Sequence, residues 1–394
     1  MKKILATVLA LVMALALCTT SWADGVKPIT AEMTGLDTGS YELTGDVTLT
    51  AGALTVKSGA IVTLDLGTFT LTNKAGEHTI VNNGTLTITG TGTVDNVSHA
   101  RAALFNNEGA TAVLNGGSFT RSQENGKTKE DSGNNSFYTI QNLGTMTINA
   151  GVSVTQNGCF SSMVANGYYN GTGKTNTPTM IINGGTFSGG LNTVKNDDCG
   201  VMTINGGEFK NFAQACVQNH NKLTITNGNF DGSELKAIAD STVSVIYNCG
   251  CGADNDKGML SISGGTFSGG KEETYVICDV STVSEAYTDI SGGTFTKGSA
   301  TMIGKTASAK VAISGGAFKD AAGKAVDVSA YLAAGKQQNS DGSVGNKSYY
   351  YYPSTSDTTT STTTKGSPKT FDAGVGIYAV TAVLSVTGMA WTAK

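Results

Sequence analysis

The sequence predicts an all-β protein, a right-handed parallel β-helix of about ten coils, with an N-terminal signal helix and a C-terminal transmembrane helix. Composition is the first reason. Only 14% of the 394 residues are charged, 52 are glycine, and of the four prolines only Pro178 falls between residues 41 and 348. That balance excludes collagen, pervasive disorder and a helical bundle. With a formal charge of −4 it also lacks the basic surplus that phosphate neutralisation requires, so no nucleic-acid partner is expected. The second reason is a phrase that recurs. Ala112 to Phe119 reads AVLNGGSF and returns as MIINGGTF (180–187), MTINGGEF (202–209), LTITNGNF (223–230), LSISGGTF (260–267), TDISGGTF (288–295) and VAISGGAF (311–318). The third is a column upstream of it, an apolar residue two places before Asn82, Asn106, Asn142, Asn166, Asn196 and Asn248, with Gln218 substituting in one unit.

From the N-terminus, Met1-Lys2-Lys3, the uncharged run from Ile4 to Cys18 and the small residues closing at Ala23 have the form of a secretory signal peptide over 1–23. Its removal takes two lysines and changes the charge from −4 to −6. Residues 24–352 hold the repeats. The central Ile or Leu of each unit falls at 64, 88, 114, 148, 182, 204, 225, 262, 290 and 313, with a floor of 21 to 24 residues between markers. Apolar and polar residues alternate in every phrase, the period of a strand with one buried face. The Gly-Gly pair permits a positive-φ turn, and a third short strand completes a coil. Propeller blades need about 40–50 residues and Ig-like domains about 100, so neither fits. Stacked coils place Phe119, Phe187, Phe209, Phe230, Phe267, Phe295 and Phe318 on one internal line and the amides in a ladder.

Residues 353–366 form a Thr/Ser-rich linker with nothing apolar to bury. Residues 367–394 follow, with Ser367-Pro368-Lys369-Thr370 ahead of 21 uncharged residues from Ala373 to Ala393 and a closing Lys394. That length spans a bilayer core of about 30 Å. The order of spacer, Pro-X-Thr motif, apolar helix and cation resembles the sortase sorting signal (LPxTG-like) of Gram-positive surface proteins. The resemblance implies a sortase partner, attack at the Thr370 carbonyl and linkage to the cell wall; the family has Leu or Asn where Ser367 stands and Gly where Phe371 stands. Residues 58–71 and 313–335 are similar to the opening and closing coils of pectate-lyase-like cell-surface β-helix proteins of Gram-positive bacteria. That family contains both enzymes and proteins without catalysis, so the resemblance implies the fold and not an activity.

Two sets of residues are candidates for function. Tyr168 and Tyr169, among Gly and Asn in the insertion 155–179, suit stacking on sugar rings and hydrogen bonding to their hydroxyls. Asp197 and Asp198 are followed by His220 at 22 residues from Asp198, one coil, as in polygalacturonase-like enzymes; the preceding coil has Pro178 where that family needs a carboxylate, and no Arg-x-Lys follows. Residues 120–138 concentrate six charges and read as a second recognition insertion. Asp254-Asn255-Asp256 reads as solvated loop charge, and Cys249-x-Cys251 is too tight for zinc-ligand spacing. Cys216 and Cys278 lie on apolar strand positions and read as buried thiols. No metal and no cofactor are expected. The expected function is an exported rod, anchored at the cell surface by its membrane helix or the wall, a non-catalytic adhesin for a glycan or host protein. The alternative is a hydrolase or lyase acting on an acidic glycan through Asp197, Asp198 and His220.

Overall fold

The computed structural model describes residues 25–127, 136–236, 242–252 and 255–348. Within the unit Met1–Lys347, the strands form three long parallel sheets of 12, 11 and 11 strands, visited in rotation from Gly35 onward. This is a parallel β-helix. The predicted signal helix, Ser367 to Thr370 and the apolar segment after them lie outside the described residues. Among the described residues no helix is long and apolar enough to cross a membrane.

The ten sequence markers all lie in the 12-stranded sheet, each paired with the next from Leu64 to Ile313. All ten are buried. Two strands precede them, Lys27–Pro28 and Gly39–Glu42, where Tyr41 takes the place of the marker opposite Leu64. The helix therefore has more coils than the ten markers indicate. Outward positions are rich in threonine, a β-branched residue that suits a pleated, half-exposed surface.

The turn between the 12-stranded sheet and the 11-stranded sheet that carries the phenylalanines explains the Gly-Gly pair. The second glycine has φ near 100°, as at Gly265 and Gly293, a region L residues avoid. The first is excluded from carrying a side chain by the coil below: a Cβ at Gly292 would stand 2.2 Å from the Ser263 carbonyl oxygen. Directly after this turn the phenylalanines stack. Phe187, Phe209, Phe230, Phe267, Phe295 and Phe318 form a continuous pile with centroids 4.6 to 4.9 Å apart and planes within 7°. Phe119 occupies the same column but Val154 sits between it and Phe187.

The other 11-stranded sheet carries the amide ladder. Each Nδ2 donates to the next Oδ1 from Asn82 through Asn106, Asn142, Asn166, Asn196 and Asn219 to Asn248, at 2.7 to 2.9 Å. The rung assigned from sequence to Gln218 is Asn219: Val217 faces inward opposite Val194, which sets Asn219 opposite Asn196. Asn248 donates in turn to Asp279 Oδ2 at 3.1 Å, and the ladder ends there on a carboxylate that also accepts from Thr288 Oγ1 and the Ser281 N–H. The remaining amide hydrogens reach backbone carbonyls of the following turns, as Asn166 Nδ2 does at Val201 O.

At the C-terminal end the strands Lys336–Gln338 and Val344–Asn346 pair antiparallel. They lie across the last coil through Val344 N–H to Gly316 O at 2.8 Å and Phe318 N–H to Gly342 O at 3.0 Å.

Candidate functional site

The turn that leaves the asparagine ladder is the locus at which both candidate sets meet. Because Asn166, Asn196, Asn219 and Asn248 are in register, the residues after them stack in the same order. Gly167 and Tyr168 follow the first, Asp197 and Asp198 the second, His220 the third, and Cys249 to Cys251 the fourth. Tyr168 and Asp198 are joined as an antiparallel bridge, Tyr168 N–H to Asp198 O at 3.0 Å and the reverse at 3.1 Å. The two sites read separately from sequence are therefore one neighbourhood.

The turn Asp197–Gly200 closes through Gly200 N–H to Asp197 O at 3.0 Å, with Cys199 at φ 65°. Asp197 is 1% exposed and its Oδ2 lies 3.1 Å from Lys195 Nζ. Asp198 receives Gly171 N–H on Oδ2 at 2.9 Å, while Oδ1 lies 3.9 Å from His220 Nδ1. Burial pushes the Asp198 carboxyl upward, helped by the charges of Asp197 and Asp256 and opposed by the Gly171 hydrogen bond.

Asp256, expected in a solvated loop, is 5% exposed. The insertion after Asn248 folds back so that Cys251 N–H donates to Asp256 Oδ2 at 3.0 Å, and Asp256 Oδ1 lies 3.5 Å from His220 Nδ1. Its path is fixed by Cys199 N–H to Asn255 O at 2.9 Å and Gly258 N–H to His220 O at 2.7 Å. A surface groove of about 450 Å³ lies alongside, lined in part by Lys174, Asn255, Asp256, Lys257 and Glu285. Asp256 has no repeat-based signal in the sequence, since it follows the ladder rung Asn248 within an irregular loop; an insertion of unusual length at a ladder turn is the one hint.

The two tyrosines have different positions. Tyr168 is buried, donates its hydroxyl to Glu108 Oε1 at 2.6 Å, accepts from Asn176 Nδ2 at 3.1 Å and carries Lys174 Nζ 4.7 Å from its ring centroid. Burial and the Glu108 carboxylate push its phenol up to about 12. Tyr169 is 81% exposed, with Lys195 Nζ 5.4 Å from its centroid. The exposed ring is thus Tyr169, held over the Lys195–Asp197 pair.

Among the described residues Cys199, Cys216, Cys249, Cys251 and Cys278 are free thiols. Cys216 and Cys278 are buried, as their apolar strand positions require. Cys251 is exposed, and a hydrogen bond with Cys249 draws its thiol down to about 7. The charged insertion at 120–138 is not a recognition surface at its first two charges. Arg121 and Glu124 pair at 2.8 Å with both side chains fully buried, and Arg121 also donates to the carbonyls of Arg101 and Ser98. Residues 128–135 lie outside the described part.

No protein-family model matches the chain, and neither a curated protein nor a solved structure is significantly similar to it.

Proposed function

We propose that the chain is an exported surface rod, a right-handed parallel β-helix of the pectate-lyase-like kind, that binds a glycan or a glycosylated surface protein without transforming it. The observation that carries this reading is Tyr169: an aromatic ring 81% exposed, with Lys195 Nζ over its face, next in sequence to the polar Tyr168–Asp198 bridge. An aromatic face packs against sugar C–H groups, and the polar rim bonds hydroxyls. The predicted signal peptide (1–23), Thr/Ser linker (353–366) and sorting segment (367–394) supply export and anchoring in this proposal, through Thr370 to the wall or through the apolar helix to the membrane.

Glycan-array binding by the purified protein, repeated with Tyr169→Ala, tests the recognition step. Binding to a defined glycan class, weakened at least tenfold by the substitution, is expected; equal binding by both proteins removes Tyr169 from recognition. Fractionating cells before and after muramidase digestion tests anchoring, and release by detergent alone would remove the sortase step.

The alternative, hydrolysis or lysis of an acidic glycan, draws on the convergence of Asp197, Asp198 and His220, whose ligand atoms lie within 4.8 Å of one another. Magnitudes argue for binding. Glycosidase carboxyl pairs stand about 5–5.5 Å apart for retention and about 6.5–9.5 Å for inversion, with the sugar between them. Here one oxygen of each carboxylate lies within 4.8 Å of the other, and Asp197 is buried against Lys195, away from a bound sugar. Turnover of pectin or mucin that is lost on Asp198→Ala would reverse the order of the two readings.

A further inference from the structure

We propose that Asp198, His220 and Asp256 form a site for one divalent transition-metal ion of the zinc class. This goes beyond the recognition reading and does not rest on it, since no part of it involves Tyr169.

Geometry comes first. His220 Nδ1 faces two carboxylate oxygens, Asp198 Oδ1 at 3.9 Å and Asp256 Oδ1 at 3.5 Å. Zinc ligands lie about 2.0–2.1 Å from the ion, so two of them at a tetrahedral angle stand about 3.3 Å apart. Against that spacing Asp256 Oδ1 stands about 0.2 Å and Asp198 Oδ1 about 0.6 Å too far from the imidazole nitrogen, so the Asp198 side must close further on binding. Each carboxylate is also oriented by one backbone N–H on its Oδ2, from Gly171 for Asp198 and from Cys251 for Asp256. That leaves the Oδ1 atoms for the imidazole, the arrangement by which outer hydrogen bonds aim metal ligands.

Unmet polar capacity is the independent observation. Asp256 Oδ1 is buried and accepts no hydrogen bond, in a side chain 6% exposed. Neither ring nitrogen of His220 has a hydrogen-bond partner. Buried polar atoms are normally satisfied, and leaving one bare costs about 1–3 kcal/mol, more when charged. Charge points the same way. Asp197, Asp198 and Asp256 contribute −3 and Lys195 contributes +1, so with a neutral imidazole the cluster carries −2. One divalent cation balances that.

The donor set selects the class. Calcium and magnesium take oxygen ligands, whereas an imidazole with carboxylates suits zinc and its first-row neighbours. Three protein ligands leave a fourth position for water or an arriving group. Asp197 stays with Lys195 and stabilises the site from outside.

The test is titration of the untagged full-length protein with ZnCl₂ by calorimetry and with CoCl₂ by visible absorption, alongside His220→Ala, Asp256→Asn and the surface control Asp289→Asn. We expect one zinc per chain, weakened at least about tenfold by either site substitution, unchanged in the control and not displaced by a hundredfold excess of calcium. Bound Co²⁺ should show the d–d absorption of a four-coordinate ion and lose it on adding zinc. Absence of binding, binding equal in both site variants, displacement by calcium, or a spectrum dominated by thiolate-to-Co²⁺ charge transfer would each overturn the proposal. Should a variant fail to fold, the wild-type Co²⁺ spectrum decides by itself.

Discussion

His78 stacks on Phe105 with centroids 4.7 Å apart and accepts the Ala102 N–H on Nδ1 at 2.7 Å. Burial, followed by the charges of Arg101 and Arg121, lowers its pKa from 6.5 to about 4. The unfolded chain therefore takes up a proton that the folded one refuses, and stability declines as pH falls from about 6.5 towards 4. His78→Gln keeps an acceptor for Ala102 without the titration. Denaturant midpoints at pH 7, 5.5 and 4.5 should fall less steeply in that variant, by up to one proton; coincident slopes would show that burial does not hold the imidazole neutral. Arg121 and Glu124 make the opposite case, a charge pair with no exposure. Glu124→Ala removes the carboxylate paired with a fully buried guanidinium, and unfolding should require about 3–5 kcal/mol less. Neither environment was legible from sequence. Both lie in segments between strands, His78 before Ile80–Asn82 and Arg121 after Gly117–Thr120, and strand periodicity does not say which way such residues turn.

The phenylalanine pile and the amide ladder are columns built one rung per coil, so a single lost rung tests each. Phe267→Ala, at the middle of the pile, removes ring contacts on both sides and leaves a cavity; a loss of about 3–5 kcal/mol is expected by urea denaturation, with Phe267→Leu costing distinctly less. Asn166→Ala strands the Asn142 amide and the Val201 carbonyl, and should cost roughly 1–3 kcal/mol. The columns were readable because one residue type at one offset from a marker has only one explanation in a stacked coil. Reading stopped where that identity lapsed. Two adjacent amides, Gln218 and Asn219, made the rung ambiguous until pairing with Asn196 resolved it. The two opening coils lack the Gly-Gly phrase, and Tyr41 replaces the aliphatic marker, so nothing in them repeats.

Registry across the molecule means that a whole coil is the unit of tolerated change. Deleting residues 205–225 sets Ile204 in the place of Ile225, Phe187 under Phe230 and Asn196 under Asn248. That protein should keep its β-type circular dichroism and unfold cooperatively at a somewhat lower temperature, because each coil contacts mainly its neighbours. Removing 205–215 instead shifts every column and should abolish folding. The same registry carried the sequence reading from Asp198 to His220, one coil apart, but not to Asp256, which reaches the cluster through a loop that breaks the repeat. The hairpin of Lys336–Gln338 and Val344–Asn346 has its own consequence at this scale. A stack of parallel strands is a template to which another molecule's coil could add indefinitely. With the backbone of Gly316 and Phe318 already engaged by the hairpin, the terminal strand of the phenylalanine sheet, Ala317–Lys319, is closed to extension by a second molecule's coil.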